Sequence, residues 1–467
     1  MKNDRRKRLI KNTTIFAISN ISTKLIVFLL LPIYTWKLST SEYGIVDLLF
    51  TISNFIYPLL TLNIVESIFR FSMDKNIDNN KIVYNGLICN MICILFGLVI
   101  FPVLSIFKEY SDYAVLFYTY IISLSMNQTL LAFLKGQEKL KLFAIGNIIN
   151  TILVAVLNII FLVGLNMSID GYFLAYIISN IITITYSIIF GKIKISFDKK
   201  NYDKKLFKEM LKYSLVLLPT SFMWWIINSS DRVMIASWIG DGSNGIYAVA
   251  YKLPSMLTMI ATIFNQAWLF TAINEKNSND YEKYSNNIFN KLLLLLCISL
   301  ILLLLIIKPL FSIYVAKDYY DAWKYVPFLG FGYIFMTLST FISSSYNAHK
   351  DSKGFLFSAI TGAITNIILN IIFIPIFGLY GAALATLLSY VSVFLYRIID
   401  TRKYVKTILN RRHVITLLIL LLAAGATYLN IQIQIIIHII SIILVIIVFK
   451  EEFKQLLTNI KIKKVRK

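Results

Sequence analysis

The segment IQIQIIIHIISIILVIIV (431–448) runs from end to end without a Lys, Arg, Asp or Glu. Runs of this kind recur along the whole chain, separated by short polar breaks. Eighteen or more consecutive apolar residues match the hydrocarbon thickness of a bilayer when coiled as a helix. In lipid only helices and closed barrels satisfy every backbone N–H and C=O. The runs show no period-two alternation, which selects helices over a barrel. Composition agrees: 58% of the 467 residues are hydrophobic and the mean hydropathy is +0.71. The expected fold class is an all-α polytopic membrane protein.

About fourteen spans are expected, near 12–35, 42–68, 83–107, 112–134, 142–165, 170–190, 208–239, 244–272, 287–315, 323–348, 354–377, 379–399, 413–429 and 431–449. An even number puts both termini on one side. With the N-terminus inside, all but eight of the 46 Lys and Arg residues fall on the inner side. Lys37, Lys108, Lys317 and Lys324 fall outside, and Lys24, Arg232, Lys252 and Lys308 fall within spans. Cytoplasmic segments carry such an excess. The formal charge of +22 therefore reads as an orientation signal, not as nucleic-acid affinity, and the cytoplasmic membrane is the expected location. Residues 2–11 are basic, but the span that follows is too long and lacks the cleavage motif of a signal peptide.

The most charged internal loop, near 191–207, divides the chain. The expected organisation is a six-helix lobe at 1–190, that loop, a second six-helix lobe at 208–399, and two extra helices with a basic tail at 400–467. Three echoes support an internal repeat: EYGIVDLLFT (42–51) with SNGIYAVAYK (243–252), FPVLSIF (101–107) with KPLFSIY (308–314), and LNIIF at 157–161 and 369–373. Pro32 and Pro58 in the first two spans are matched by Pro219 and Pro254 in the seventh and eighth, where proline bends a helix and frees a carbonyl. Repeats with broken helices are a recurrent plan of secondary transporters, with substrate bound between the halves. Because each half has an even number of spans, the repeats are parallel.

A cation at the centre of a membrane helix costs roughly 2.5–3.5 kcal/mol on insertion scales and marks a pathway when it faces a protected interior. Lys24 lies near the expected midplane of the first span. Arg232 and Lys252 flank the polar turn Asp241-Gly242-Ser243-Asn244-Gly245. Three such cations, in a chain without a catalytic motif, point to transport of an anion. No GxxxxGK[ST] loop is present to cradle a nucleotide phosphate, and no cofactor is expected.

LPIYTWKLSTSEYG (31–44), DRVMIASWIG with GIYAVAYKLP (231–254) and LNIIFIPIFGLYGAALATLLSYV (369–391) together resemble the Wzx-type flippases. These form the polysaccharide-transporter branch of the multidrug/oligosaccharidyl-lipid/polysaccharide (MOP) exporter superfamily. The resemblance implies two six-helix lobes, often with two further helices, and movement of an undecaprenyl-pyrophosphate-linked oligosaccharide from the inner to the outer leaflet. It implies lipid-linked oligosaccharide and membrane lipids as partners, with a polysaccharide polymerase and other assembly proteins alongside, and no enzyme activity. On this reading Lys24, Arg232 and Lys252 line a cleft and hold the pyrophosphate, which suits cations and suits the fork of Arg especially. A cation-coupled multidrug exporter of the same fold is the alternative, and a glycan polymerase or ligase the third reading. The outer loops are short for the latter.

Other residues have plainer expectations. Glu66 and Arg70, four apart near the inner end of the second span, suit a pair on one helix face or an inner gate. Asp47 suits interfacial capping or cation coupling. Asp231 joins it as a gate or coupling candidate, although it cannot pair with the adjacent Arg232 across a helix turn. Lys308 is expected at the interface. Trp36, Trp238, Trp268 and Trp323 are expected in aromatic belts, and Trp224 and Trp225 in packing. Asn147, Asn150, Asn158, Asn366 and Asn370 are expected to bond between helices. Cys89, Cys93 and Cys297 read as core residues, and no metal site is expected from them or from the scattered histidines.

Overall fold

The computed structural model describes residues 22–74, 76–104, 110–195, 198–259, 264–265, 268–269, 272 and 278–465. Every regular element among them is helical. Among the described residues eleven helical segments are long and apolar enough to cross a membrane, so the protein is a multi-pass membrane protein. Three of the fourteen expected spans are not among them. Spans 12–35 and 244–272 run beyond the described residues, and 413–429 forms the shorter helix Arg411–Ala426.

By its contacts the chain divides into two compact units, 1–225 with 240–245, and 226–239 with 246–467. The first contains α1 (22–37), α2 (Thr40–Leu60), α3 (Ile64–Phe71), α4 (Asn79–Leu104), α5 (Ala114–Gly136), α6 (Leu140–Asn158), α7 (Ile169–Gly191) and the first part of α8 (Lys204–Trp238). That part of α8 belongs here because Leu206 and Met210 are buried with Ile64, Ile68, Ile82 and Leu134 in one apolar cluster. The Ser67 hydroxyl also donates to the Met210 carbonyl.

The start of α2 is set by a capping box. The Ser39 hydroxyl accepts the Glu42 N–H at 3.2 Å, and the Glu42 carboxylate accepts the Ser39 N–H at 2.8 Å. These bonds satisfy donors that a helix start leaves open. The expected single span 42–68 is in fact two helices. The Asn63 N–H reaches back to Pro58 O at 2.7 Å and the Leu62 N–H to Leu59 O at 3.1 Å, a Schellman closure. Leu62 and Asn63 take left-handed φ of 49° and 55°. Asp47 lies inside α2 and is buried.

The repeat motif meets itself in this unit. A Cβ on Gly44 would lie 1.8 Å from Asp241 O, and one on Gly245 would lie 2.0 Å from Thr40 O. The Asn244 amide donates to Gly44 O at 2.8 Å. Only glycine allows backbones this close, which explains why EYG and SNG share it.

The second unit contains the remainder of α8, α9 (Asp241–Ser255) from Ile246 onward, α10 (Tyr281–Tyr314), α11 (Val326–Ile342), α12 (Ser344–His349), α13 (Ser352–Phe377), α14 (Leu379–Asp400), α15 (Arg411–Ala426), α16 (Ile431–Val448) and α17 (Lys450–Val465). Helices α15, α16 and α17 pack on α10. The Gln434 amide of α16 donates to Leu304 O of α10 at 2.9 Å, and His438 meets Thr427 at 3.4 Å. Lys308 donates to Leu429 O at 2.8 Å and lies over the Trp323 ring.

Two expected belt tryptophans are interior residues. Trp268 and Trp323 are buried, whereas Trp36 and Trp238 are exposed. Trp268 donates to the Ser344 hydroxyl at 2.8 Å and stacks on Phe341, so its polar edge finds protein in place of the membrane interface. Trp225 packs on Phe55 and donates to Thr51 O at 2.9 Å. Cys89 and Cys297 are buried free thiols; the Cys93 side chain and Lys108 lie outside the described residues.

Candidate functional site in the second unit

Helix α8 presents Asn228, Asp231 and Arg232 within a little over one turn. Helix α9 presents Tyr247, Tyr251 and Lys252, and α14 presents Thr386 and Tyr390. Tyr247 with Tyr251, and Thr386 with Tyr390, are four residues apart and so share a helix face. These faces meet around one carboxylate.

Asp231 is 0% exposed. One of its oxygens accepts the Tyr247 hydroxyl at 2.7 Å and the Thr386 hydroxyl at 3.0 Å. The other accepts the backbone N–H of Arg232 at 2.9 Å. At this oxygen the two neighbours are linked through the main chain. A carboxylate taken out of water is costly unless hydrogen-bonded, and here three donors converge on it.

The half-buried Arg232 guanidinium lies 4.6 Å from the centre of the Tyr251 ring. Cation–π contact over a partly desolvated tyrosine is favourable. The Tyr251 hydroxyl meets the Tyr390 hydroxyl at 3.2 Å, and Tyr390 donates to the Asn228 side-chain oxygen at 2.6 Å. Tyr333 closes the group, its ring 5.5 Å from Tyr251. Ser230 and Asn366 extend the polar layer, with Ser230 donating to Asn366 at 2.7 Å and Asn370 to Asn366 at 3.0 Å. Lys252 follows Tyr251 and is half-buried.

The other expected site residues lie in the first unit. Lys24 is exposed on α1, and Glu66 and Arg70 are exposed on α3. No ion pair joins Glu66 to Arg70 among the described residues. Asn150 bonds between helices here as expected, donating to Asn180 at 3.2 Å, and Asn127, outside the expected set, donates to the same oxygen at 3.0 Å. Asn147 and Asn158 instead donate to carbonyls of their own helix.

Sequence reasoning missed Tyr247, Tyr251, Thr386 and Tyr390, although two polar pairs at a spacing of four inside apolar runs were a usable signal. It also left Arg397, inside the expected span 379–399, out of the cations placed within spans. Arg397 lies within α14 and is 1% exposed, donating to Ser339 O at 2.7 Å and the Ser358 hydroxyl at 3.0 Å.

At the ends of the helices two aspartates act as caps. Asp203 accepts the N–H groups of Lys205 and Leu206, each at 3.1 Å, and pairs with Lys81 at 3.1 Å. The Leu206 N–H first, and Lys81 next, hold its carboxyl below the usual range. Asp351 accepts the Gly354 N–H at 2.9 Å and pairs with Lys403 at 3.0 Å. The Gly354 N–H is the main cause of its lowered pKa, with Lys403 and Tyr404 adding to it.

The helical architecture defines a multi-pass membrane protein with a polar layer inside α8, α9 and α14. Lipid II flippase MurJ, in an inward closed conformation, superposes with a TM-score of 0.72 at 17% identity, covering 95% of this chain and 99% of that one. A multidrug resistance MATE family transporter, inward-facing, superposes at 0.65 and 14% identity, covering 84% and 95%. A MOP superfamily transporter from Pyrococcus furiosus superposes at 0.55 and 15% identity, covering 85% and 94%. An uncharacterized membrane protein of Methanocaldococcus jannaschii is 24% identical over 411 residues, 83% of this chain and 96% of its own. The family described as "Polysaccharide biosynthesis protein" matches residues 9–274, more than half of the chain, and the MatE family matches 217–372. The chain belongs to the polysaccharide biosynthesis protein family.

Proposed function

We propose that this protein is a Wzx-type flippase that carries an undecaprenyl-pyrophosphate-linked oligosaccharide from the inner to the outer leaflet of the cytoplasmic membrane. The observation that carries the reading is the match of residues 9–274 to the polysaccharide biosynthesis family. The overlay with a lipid II flippase at a TM-score of 0.72 adds to it. The mechanism is alternating access. Lys24, Arg232 and Lys252 take the pyrophosphate as it enters, the polyprenyl tail stays in lipid, and the glycan moves in a hydrated cleft. Without hydration, moving that headgroup through hydrocarbon is prohibitive. Asp231 serves coupling, because a buried carboxylate held by hydroxyls can exchange its proton or a cation as the transporter changes state. Asp47, Glu66 and Arg70 are gate candidates, and both termini are cytoplasmic.

Alanine at Lys24, Arg232 or Lys252 is expected to reduce export of surface polysaccharide in cells while membrane insertion stays normal. Wild-type export by all three variants removes the assignment. The MatE match at 217–372 and the buried Asp231 favour a second reading, cation-coupled multidrug export. Drug sensitivity of a deletion strain separates the two: the flippase reading expects lost polysaccharide and unchanged drug tolerance.

A further inference from the structure

We infer that the C-terminal helix α17 is a membrane-surface platform that takes anionic phospholipid headgroups, with Glu452 as the pin that fixes it to α10. Helix α17 starts at Lys450, two residues after the α16 span ends at Val448, so it begins at the edge of the bilayer. Its sequence, KEEFKQLLTNIKIKKV, repeats apolar residues at 453, 456, 457 and 460, the helical spacing of an apolar stripe. Lys450, Lys454 and Lys461 fall off that stripe by helical spacing, Lys463 and Lys464 come in the turn after it, and Arg466 and Lys467 follow in the sequence. Four to eight cations directly after a membrane helix are the pattern of an anionic-lipid contact.

The two acids of this helix behave differently. Glu451 is exposed, whereas Glu452 is buried. One Glu452 oxygen accepts the Asn290 amide at 3.3 Å and meets the Arg412 guanidinium at 3.5 Å. Gln455 accepts the Asn287 amide at 3.4 Å. Turning Glu452 inward removes its charge from the surface and leaves Lys450 and Lys454 exposed there. The same stripe of α10 holds the preceding basic segment. Asn286 donates to Lys406 O at 2.9 Å and accepts the Ile408 N–H at 2.8 Å, and Asn290 meets His413 at 3.0 Å. Lys406, Arg411 and Arg412 are exposed. A basic surface is thereby fixed to one helix beside the end of a span. Its charge complements a phospholipid leaflet.

The test uses the full chain, purified and placed in nanodiscs of phosphatidylcholine alone or with phosphatidylglycerol. Wild type is expected to show a higher thermal midpoint with phosphatidylglycerol, and the gain is expected to shrink in high salt. The variant K454Q/K461Q/K463Q/K464Q is expected to keep its midpoint in phosphatidylcholine and lose the gain. Headgroup retention measured by native mass spectrometry is expected to fall several-fold. Should the quadruple variant fail to fold, K454Q/K461Q is expected to lose part of the gain. A gain equal to wild type in these variants overturns the inference. So does the same stabilisation by inorganic phosphate in phosphatidylcholine, which would make the surface a phosphate site. Neither readout requires transport, so failure here leaves the flippase reading standing.

Discussion

The repeat motif occurs twice, and the two units use the helices that follow its glycine differently. EYGIVDLLFT puts Val46 and Phe50 on α2 where SNGIYAVAYK puts Tyr247 and Tyr251 on α9. In the first unit Phe50 is an apolar hub, its ring 4.5 Å from Tyr120, 4.6 Å from Tyr176 and 5.3 Å from Tyr172. In the second unit the equivalent hydroxyls serve a charge: Tyr247 donates to Asp231, and the Tyr251 ring carries Arg232. Carried back along the chain, the same offset aligns Leu30 and Leu31, 3% and 1% exposed, with Asp231 and Arg232. The scaffold is shared and the acid–base pair is not. A charge within a membrane helix is expensive, and three hydroxyl and main-chain donors with one aromatic face are set around this pair. That cost, borne at Asp231 and Arg232 and not at the aligned Leu30 and Leu31, is the physical argument for placing coupling chemistry at Asp231, beside the proposed substrate-holding cation Arg232.

The largest effect is expected from making the second unit resemble the first. Asp231→Leu leaves Tyr247 and Thr386 without their shared acceptor. Breaking a buried charged network costs roughly 3–5 kcal/mol, so transport is expected to vanish and the thermal midpoint in detergent to fall. Normal transport by that variant would mean the carboxylate is structural decoration. Gly245→Ala should rival it in stability, since its Cβ would meet Thr40 O at 2.0 Å. Overpacking of this kind costs about 1–3 kcal/mol or more, read out as lost folded protein on size-exclusion chromatography. Tyr247→Phe removes one charge-assisted bond, worth about 1.5–3 kcal/mol, and slowed transport with retained expression is the expected result. Tyr251→Phe keeps the ring beneath Arg232 and loses only neutral hydrogen bonds, about 1 kcal/mol, so its transport should stay near wild type. Equal damage from Tyr251→Phe and Arg232→Ala would contradict the cation–π role.

The smallest effect concerns a feature the units share. Asp203 and Asp351 both have carboxyls held below the usual range by a backbone N–H at a helix start. A depressed folded pKa stabilises above the unfolded value and is lost as pH falls through the folded one. Thermal midpoints should therefore hold near neutral pH and decline below about pH 4, the ordinary aspartate range. Asp351→Asn and Asp203→Asn should each flatten that decline. A decline unchanged in both would place its origin elsewhere.

Much of the fold was legible because lipid enforces a simple rule: apolar length marks a span. The helix break at 61–63 was not, because its left-handed positions are Leu62 and Asn63 and not the glycine that usually signals such a closure. Burial of Trp268 was not, because its partner Ser344 lies 76 residues on. The cations Arg232 and Lys252 stood out as isolated charges in apolar runs. The setting of Asp231 did not, since it depends on Tyr247 and on Thr386, 155 residues away, and adjacency to Arg232 says nothing of either. Arg397 sat within reach of a basic loop in the sequence, and only its neighbours Ser339 and Ser358 reveal it as interior.

The most direct test of the central claim is translocation in proteoliposomes. Undecaprenyl-pyrophosphate oligosaccharide is placed in one leaflet, and its arrival in the other is followed with an impermeant lectin for wild type and Arg232→Ala. The account predicts at least tenfold slower arrival for the variant at equal protein content, with a partial return in Arg232→Lys. Equal rates for wild type and Arg232→Ala would contradict it.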